Sequence, residues 1–104
     1  MPHITLHNDV LPGIVGLLDY RKDTAKPLCE LAEILLRGES TLTTGEREII
    51  ASSVSYKNDC HFCHTSHGAA AAVHLGRDSR FIDEIKSGFA NTEISDKLKA
   101  LLVI

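Results

Sequence analysis

The sequence predicts an all-α fold, and three observations support this prediction. Apolar residues recur at spacings of three and four along most of the chain, as they do on one face of a helix. Capping residues and glycines stand where these stretches begin and end. No stretch alternates apolar and polar residues as a half-buried strand does. The helices are predicted at residues 14–22, 27–38, 45–56, 60–75 and 79–88, with a terminal helix that opens at 92–95.

The first part of the chain is predicted to contain an extended arm and two helices. Residues 1–13 form the arm, in which prolines and a glycine mark turns. A short helix over 14–22 and a polar loop over 23–26 follow. Pro27 suits the first turn of the next helix, because the N–H that proline lacks would have no helical partner there. Gly38 ends that helix.

The middle of the chain has the clearest helix signals. Thr43 and Glu46 match a capping box, in which the hydroxyl and the carboxylate each satisfy a free backbone N–H at the start of a helix, here the one over 45–56. The apolar pattern then breaks, and Asp59 is predicted to cap the next helix, over 60–75.

Two further helices complete the predicted fold. Asp78 or Ser79 begins one that Gly88 ends. The terminal helix stops in mid-pattern, so we expect either that a partner covers its apolar face or that the chain is a C-terminally incomplete fragment. The small residues at 68–72 let another helix approach closely, and together with the terminal helix they are predicted to form subunit contacts.

Composition limits the classes of function. A length of 104 residues suits one small domain over 1–104. A net charge of −3 gives no basic surface, so nucleic acid is not expected as a partner. No apolar stretch is long enough to span a membrane, and the N-terminus lacks the pattern of a signal peptide. Three cysteines, an odd number, favour a reducing compartment, and we expect a cytoplasmic protein.

A C-x-x-C motif on the fourth predicted helix holds most of the reactive side chains. Residues three, four and seven apart share a helix face, so Cys60, Cys63 and His67 are predicted to form one stripe. His61 and His64 form a neighbouring stripe, turned away by roughly 100°.

Four chemistries compete for this motif. Residues 60–64 match the C-x-x-C-H pattern of covalent haem attachment, but the only methionine is Met1, which leaves no suitable methionine ligand for the iron. Structural zinc sites usually split their ligands between two knuckles, whereas the candidates here crowd one helix, with Glu48 as a distant carboxylate. The third chemistry is thiol redox. The fourth alternative is that the cysteines are core residues without a function.

Thiol redox chemistry fits these residue types best. Reduction of a peroxide needs a thiolate, a proton for the departing hydroxide and a second thiol that resolves the sulfenic acid. Cys60, Cys63 and His67, with a nearby carboxylate, supply all of these. The helix dipole favours a thiolate near the helix start, and this argument alone favours Cys60 as the more reactive thiol.

The spacing around the motif is specific. A glutamate stands twelve residues before the C-x-x-C, and a histidine stands four after its second cysteine. The matching positions are Glu46-Arg47-Glu48-Ile49-Ile50-Ala51, Ser55, Asn58, Cys60-His61-Phe62-Cys63 and His67. This pattern, strongest over 42–76, resembles the alkylhydroperoxidase D-like, carboxymuconolactone decarboxylase-like family, and more narrowly its peroxidase-related branch.

The resemblance implies an all-helical fold that assembles as trimers or hexamers, with peroxidase or disulfide-reductase chemistry that needs no metal or haem. It implies that Glu48 and His67 relay protons, that Cys63 is the peroxidatic cysteine and that Cys60 resolves. The best-understood members carry a second relay histidine immediately before the second cysteine, where this chain has Phe62. We expect a shorter proton relay for that reason.

The sequence thus predicts a thiol-dependent peroxidase with Cys63, Cys60, His67 and Glu48 as catalytic residues and with no cofactor or metal. Its expected partners are a small hydroperoxide, a dithiol reductant protein or small thiol, and further copies of the chain. Two alternatives stay open. One is a redox-sensing or interaction module that forms the same disulfide without turnover, and the other is a zinc-binding helical domain.

Several of the remaining candidates have simpler explanations. The other interpretation of Glu48 is a solvent-exposed carboxylate that the helix dipole stabilises. Ser52 and Tyr56 continue its polar line at i+4 and i+8, either beside the relay or in helix packing. Cys29 is predicted to lie in the core. Three histidines are predicted to be surface residues: His3, His7 and His74.

Overall fold

The structure is a computed structural model that describes residues 3–104, and within them the fold is all-α, as predicted. The helices are α1 Ile14–Tyr20, α2 Lys22–Arg37, α3 Thr44–Lys57, α4 His61–Leu75, α5 Ser79–Gly88 and α6 Asp96–Val103, with a 3-10 helix at Phe89–Asn91. The chain divides into two compact units, one that ends at Glu39 and one that begins at Ser40. The prediction of one domain over 1–104 stays a prediction. Met1 and Pro2, at the start of the predicted arm, lie outside the described residues.

The start of α2 differs from the prediction. The helix begins at Lys22, so the loop expected at 23–26 is wrong, and Pro27 lies in the second turn of the helix. Arg21 explains the early start. Its backbone oxygen accepts from two N–H groups of the first turn, and its guanidinium pairs with the Asp23 carboxylate at 2.7 Å. Pro27 then removes only the one helical hydrogen bond to the Asp23 carbonyl.

α2 buries none of its side chains. Its apolar residues are between 51% and 67% exposed at Leu28, Leu31, Ile34 and Leu35. Cys29 is a free and exposed thiol, so its predicted place in the core is wrong. Helical spacing makes α2 amphipathic, and these apolar side chains are exposed. α2 has 16 residues, and no helix within residues 3–104 has the length and apolar character needed to cross a bilayer.

The second unit is built on the packing of α3 against α4. α5 packs against both of these helices, and α6 packs against α3. The core side chains come from all four helices and are Ile49, Ala71, Phe81, Ile82, Ile85, Leu98 and Leu102. Burial of each of the larger ones contributes about 1.5–3 kcal/mol relative to an exposed position. The hydrophobic core therefore fixes α3 and α4 side by side.

Local capping fixes the starts of α3, α5 and α6. At the start of α3, the Thr43 hydroxyl accepts from the N–H of Glu46 at 3.2 Å, and the Glu46 carboxylate accepts from the N–H of Thr43 at 2.7 Å. Asp78 caps α5 and Ser95 caps α6, each through a side-chain oxygen that accepts a backbone N–H at 3.1 Å. Gly76 ends α4 with a φ of 62°, a conformation that suits glycine.

The small residues of α4 let α3 and α5 approach closely. A Cβ atom at Gly68 would lie 3.3 Å from both Ile82 Cγ2 and Ser52 Oγ, and Ala71 is fully buried. These two positions pack inside the chain, so the prediction that the run at 68–72 contacts another subunit is wrong for them. Their close packing brings the cysteine-bearing turn of α4 beside α3.

Candidate functional site

A tight turn between α3 and α4 positions the cysteine motif. Asp59 has a φ of 54°, in the left-handed region. The N–H of the next residue, Cys60, donates to the carbonyl of Ser55 at 3.0 Å. Cys60 is the N-cap residue of α4, so the prediction that Asp59 caps this helix is wrong. The left-handed backbone that closes the turn is incompatible with the extended backbone of an N-cap residue.

Cys60 and Cys63 form a disulfide within the first turn of α4, with their Cα atoms 5.4 Å apart. The predicted placement of both cysteines on one stripe is therefore confirmed. Both residues are partly buried. They lie at the helix end where free backbone N–H groups and the helix dipole favour negative charge. A thiolate formed by reduction of this disulfide would be stabilised there.

Glu48 and His67, the predicted proton relay, are joined by a hydrogen bond. Nδ1 of His67 lies 2.6 Å from Oε2 of Glu48. Glu48 is only 1% exposed, so the alternative of a solvent-exposed carboxylate is wrong. The carboxylate accepts from the Nδ1–H, which leaves the lone pair of the neutral ring on Nε2. His67 lies one helical turn past Cys63 on α4. The disulfide and the hydrogen-bonded pair of Glu48 and His67 are therefore at adjacent turns of that helix.

The polar line of α3 faces α4. Ser52 is 1% exposed, and its hydroxyl donates to the carbonyl oxygen of His64 at 2.8 Å. The Tyr56 ring packs edge-on against the imidazole of His64, with ring centroids 5.3 Å apart. Together with Glu48, these residues connect α3 to α4 on three successive turns. Ser52 and Tyr56 thus lie beside the predicted relay and also serve helix packing.

Lys86 of α5 is a member of this cluster that the sequence interpretation missed. Its side chain is 9% exposed, and its Nζ lies 3.1 Å from Nδ1 of His64 and 3.3 Å from a carboxylate oxygen of Asp83. A signal was present in the sequence, because Lys86 follows the buried Ile82 by four residues and so continues the buried face of α5. A lysine is almost never buried without a partner.

The surroundings of His64 lower its pKa. Partial burial is the main cause, because it disfavours the charged imidazolium, and the charges of Lys86 and His61 act in the same direction. Asp83 acts in the opposite direction. The rings of His61 and His64 are in edge contact, with centroids 5.3 Å apart, which confirms that these two histidines share a stripe. His64 is therefore a neutral imidazole at neutral pH.

The other predicted positions lie outside this cluster or add no titratable group to it. Phe62 occupies the place of a second relay histidine and is partly buried. Three histidines are exposed, as predicted: His3, His7 and His74. In the described range 3–104, no three or more histidine, cysteine and carboxylate side chains are grouped so that they could hold a metal ion.

The chain matches no protein-family model, no curated protein and no solved structure. The resemblance to the alkylhydroperoxidase D-like family therefore depends on the motif residues alone, and it enters the functional argument as a hypothesis.

Proposed function

We propose that this protein is a thiol-dependent peroxidase that reduces hydroperoxides through a dithiol–disulfide cycle of Cys60 and Cys63. One observation carries the proposal: the partly buried hydrogen bond between Glu48 and His67 lies one helical turn past the joined cysteines. A disulfide alone is equally consistent with a structural role. A buried carboxylate that orients a histidine next to a thiol is the arrangement of a general base and its orienting group. The family resemblance supports the same assignment.

The proposed cycle starts from the reduced pair. Nε2 of His67 accepts the proton of the Cys63 thiol, and the thiolate attacks one oxygen of the hydroperoxide. The O–O bond breaks, Cys63 is oxidised to the sulfenic acid, and the departing alkoxide takes a proton and leaves as an alcohol. The thiol of Cys60 then attacks the sulfenic sulfur, which forms the disulfide and releases water. A dithiol restores both thiols by exchange and becomes a disulfide itself.

Cys63 is assigned as the attacking thiol and Cys60 as the resolving one. Cys63 is one helical turn from His67, whereas Cys60 is almost two turns away. The helix dipole favours Cys60, but its effect is spread over the first turn, which holds both residues. The nearby proton acceptor therefore decides the assignment.

The test is the peroxide-driven loss of thiols in the reduced, metal-free protein, with metal analysis of the same sample. One equivalent of organic hydroperoxide should remove two thiols and join Cys60 to Cys63, and added dithiol should sustain turnover. Cys63→Ser should abolish the reaction, whereas Cys60→Ser should react once and retain a sulfenic acid. Cys29→Ser is the matched control, because that thiol is exposed and unpaired with the motif. Full activity in Cys63→Ser would refute the assignment.

The competing hypothesis is a redox sensor, and the same experiment separates the two functions. A sensor would consume one equivalent of peroxide, stop in the presence of excess dithiol and change its state of assembly. A peroxidase would continue to consume peroxide until the dithiol is exhausted.

The proposed partners are a small hydroperoxide, a dithiol reductant and further copies of the chain in a trimer or hexamer. The exposed apolar side chains of α2 support self-association, since Ile34 is 67% and Leu28 52% exposed. The proposed compartment is the cytoplasm, because the cycle needs a reducing partner. Sedimentation velocity at micromolar concentration should show an oligomer, and a monomer under these conditions would contradict the assembly.

A further inference from the structure

The largely buried side chain of Lys86 contacts His64. Lys86 pairs with Asp83 at 3.3 Å, and its ammonium group has three donors and no acceptor. The 3.1 Å contact between Lys86 Nζ and His64 Nδ1 is therefore one in which the ring nitrogen accepts. The proton of the neutral His64 ring must then lie on Nε2.

His67 has the opposite tautomer. Its Nδ1 donates to the Glu48 carboxylate at 2.6 Å, so its Nε2 has a lone pair. His64 directly follows Cys63, and His67 lies one turn beyond it. The two imidazoles lie on neighbouring stripes of the same helix, and at Nε2 His64 offers a proton while His67 accepts one.

The groups that face His64 come from three helices. α5 contributes the Lys86 ammonium and the Asp83 carboxylate, α3 contributes the Tyr56 ring, and α4 contributes His61. Lys86 and His61 disfavour a proton on Nδ1 of His64, and Asp83 favours it. The Lys86 ammonium also lies 5.8 Å from the centroid of the Tyr56 ring, an attractive cation–π distance that helps to hold the ammonium in place.

We propose that Lys86 is a positioning residue of the cysteine site: it fixes His64 as a neutral Nε2–H donor, so that the site has a separate acid, His64, beside the base, His67. The chemical meaning of this assignment rests on the proposed peroxidase function. When the O–O bond breaks, the departing alkoxide takes the Nε2 proton and leaves as the alcohol. Nδ1 takes a proton from the Lys86 ammonium. Nε2 then regains a proton from solvent and Nδ1 returns its proton to the Lys86 amine, which restores the Nε2–H tautomer. His67 returns the thiol proton to solvent.

The tautomer is tested first, by nitrogen–proton correlation NMR of the oxidised protein, which needs no peroxidase activity. The wild-type His64 should show the Nε2–H tautomer. Lys86→Met should give a mixture of tautomers and raise the His64 pKa, whereas Asp83→Asn should lower that pKa further. Lys86→Arg, which keeps the charge and donors, should retain the wild-type tautomer. An unchanged tautomer and pKa in Lys86→Met would overturn the proposal.

The Asp83 carboxylate is exposed, so Asp83→Asn keeps the test available if Lys86→Met fails to fold. A His64 pKa that does not fall in Asp83→Asn would show that the Lys86–Asp83 pair does not control the imidazole, and would also overturn the proposal.

The acid role is tested by single-turnover oxidation of the reduced protein with two oxidants. An alkyl hydroperoxide loses an alkoxide, which needs a proton, whereas a peracid loses a carboxylate, which does not. Lys86→Met should slow the alkyl hydroperoxide roughly 100-fold and leave the peracid nearly unchanged, since acid catalysis acts on the leaving group. An equal loss with both oxidants would overturn the acid role. A wild-type protein inert to both would refute the proposed function, while the NMR result would still decide the role of Lys86 in fixing His64.

Discussion

Glu48→Gln separates a catalytic role of the Glu48–His67 pair from a structural one. The substitution removes the charge of a side chain that is 1% exposed but keeps its size and a hydrogen-bonding group. Burial of a carboxylate costs several kcal/mol. The substitution removes both this cost and the favourable bond to His67, and the two changes offset each other. The His67 side chain is 32% exposed, so its imidazole keeps access to solvent after the substitution. We therefore expect the free energy of unfolding to change by less than about 1 kcal/mol.

The rate of Cys63 oxidation should fall much more than the stability. A hydrogen bond to a charged group contributes about 1.5–3 kcal/mol. Each 1.36 kcal/mol in the activation free energy is a factor of ten in rate, so full loss of this contribution corresponds to a rate roughly 10 to 150 times lower. The physical reason is that glutamine no longer selects the His67 tautomer whose Nε2 accepts the thiol proton.

The assay is stopped-flow single-turnover oxidation by an organic hydroperoxide between pH 6 and 8, with denaturant unfolding of the same preparations. Glu46→Gln is the matched control. Glu46 lies two positions before Glu48 on the same helix, and its carboxylate accepts from the N–H of Thr43. The control should react at the wild-type rate. If Glu48→Gln reacted as fast as the control, His67 and Glu48 would have no part in thiol deprotonation. A loss of more than about 3 kcal/mol of stability would instead make the pair a structural one.

Three further substitutions, one of them with Gly88→Ala as its comparison, test packing, backbone conformation and electrostatics. Ser52→Ala should lower the free energy of unfolding by about 1 kcal/mol in a denaturant titration, because the buried hydroxyl no longer donates to the His64 carbonyl. Gly76→Ala should cost about 1–2 kcal/mol through its φ of 62° alone, since no atom lies within 4 Å of the new Cβ; Gly88→Ala, equally open but with extended backbone, should cost less. The lowered pKa of His64 means that the unfolded chain binds more protons than the folded one as pH falls. Its contribution to stability is thus present above about pH 6.5 and is lost at lower pH. The slope of stability against pH should be shallower in His64→Gln, and an unchanged slope would contradict the argument.

The helix ends could be predicted from sequence wherever local chemistry decides them. The capping box of Thr43 and Glu46, and the caps at Asp78 and Ser95, each join residues three apart, so their hydrogen bonds depend on no distant part of the chain. The same holds for Cys60 and Cys63, whose shared stripe follows from helix geometry. The burial of Glu48 could not be predicted, because periodicity relates it to Ser52 and Tyr56 but does not say what covers that line.

Several of the wrong predictions share one cause, which is that local pattern does not reveal what the rest of the molecule supplies. Asp59 has the residue type of a cap, but the turn between α3 and α4 requires a left-handed backbone there. Cys29 has the spacing of a core residue, yet α2 buries no side chain. Lys86 and His64 are 22 positions apart in sequence, so their contact depends on how α5 packs on α4. Burial of an amphipathic face can be predicted only when the covering element is also known.

The disulfide closes a short loop, which suits the redox role proposed for its cysteines. Cys60 and Cys63 are separated by three positions, and in the chain-entropy model a loop of about four residues stabilises a fold by only about 2 kcal/mol. Burial of the six large apolar side chains of the core contributes roughly 10–20 kcal/mol to folding, without the opposing conformational entropy of the chain. None of these side chains lies in the first turn of α4. Opening the disulfide therefore removes no contact among these core side chains. The hydrogen bond between Glu48 and His67 involves neither cysteine. A bond that can open while its neighbouring base stays in place meets the structural requirement of a redox cycle.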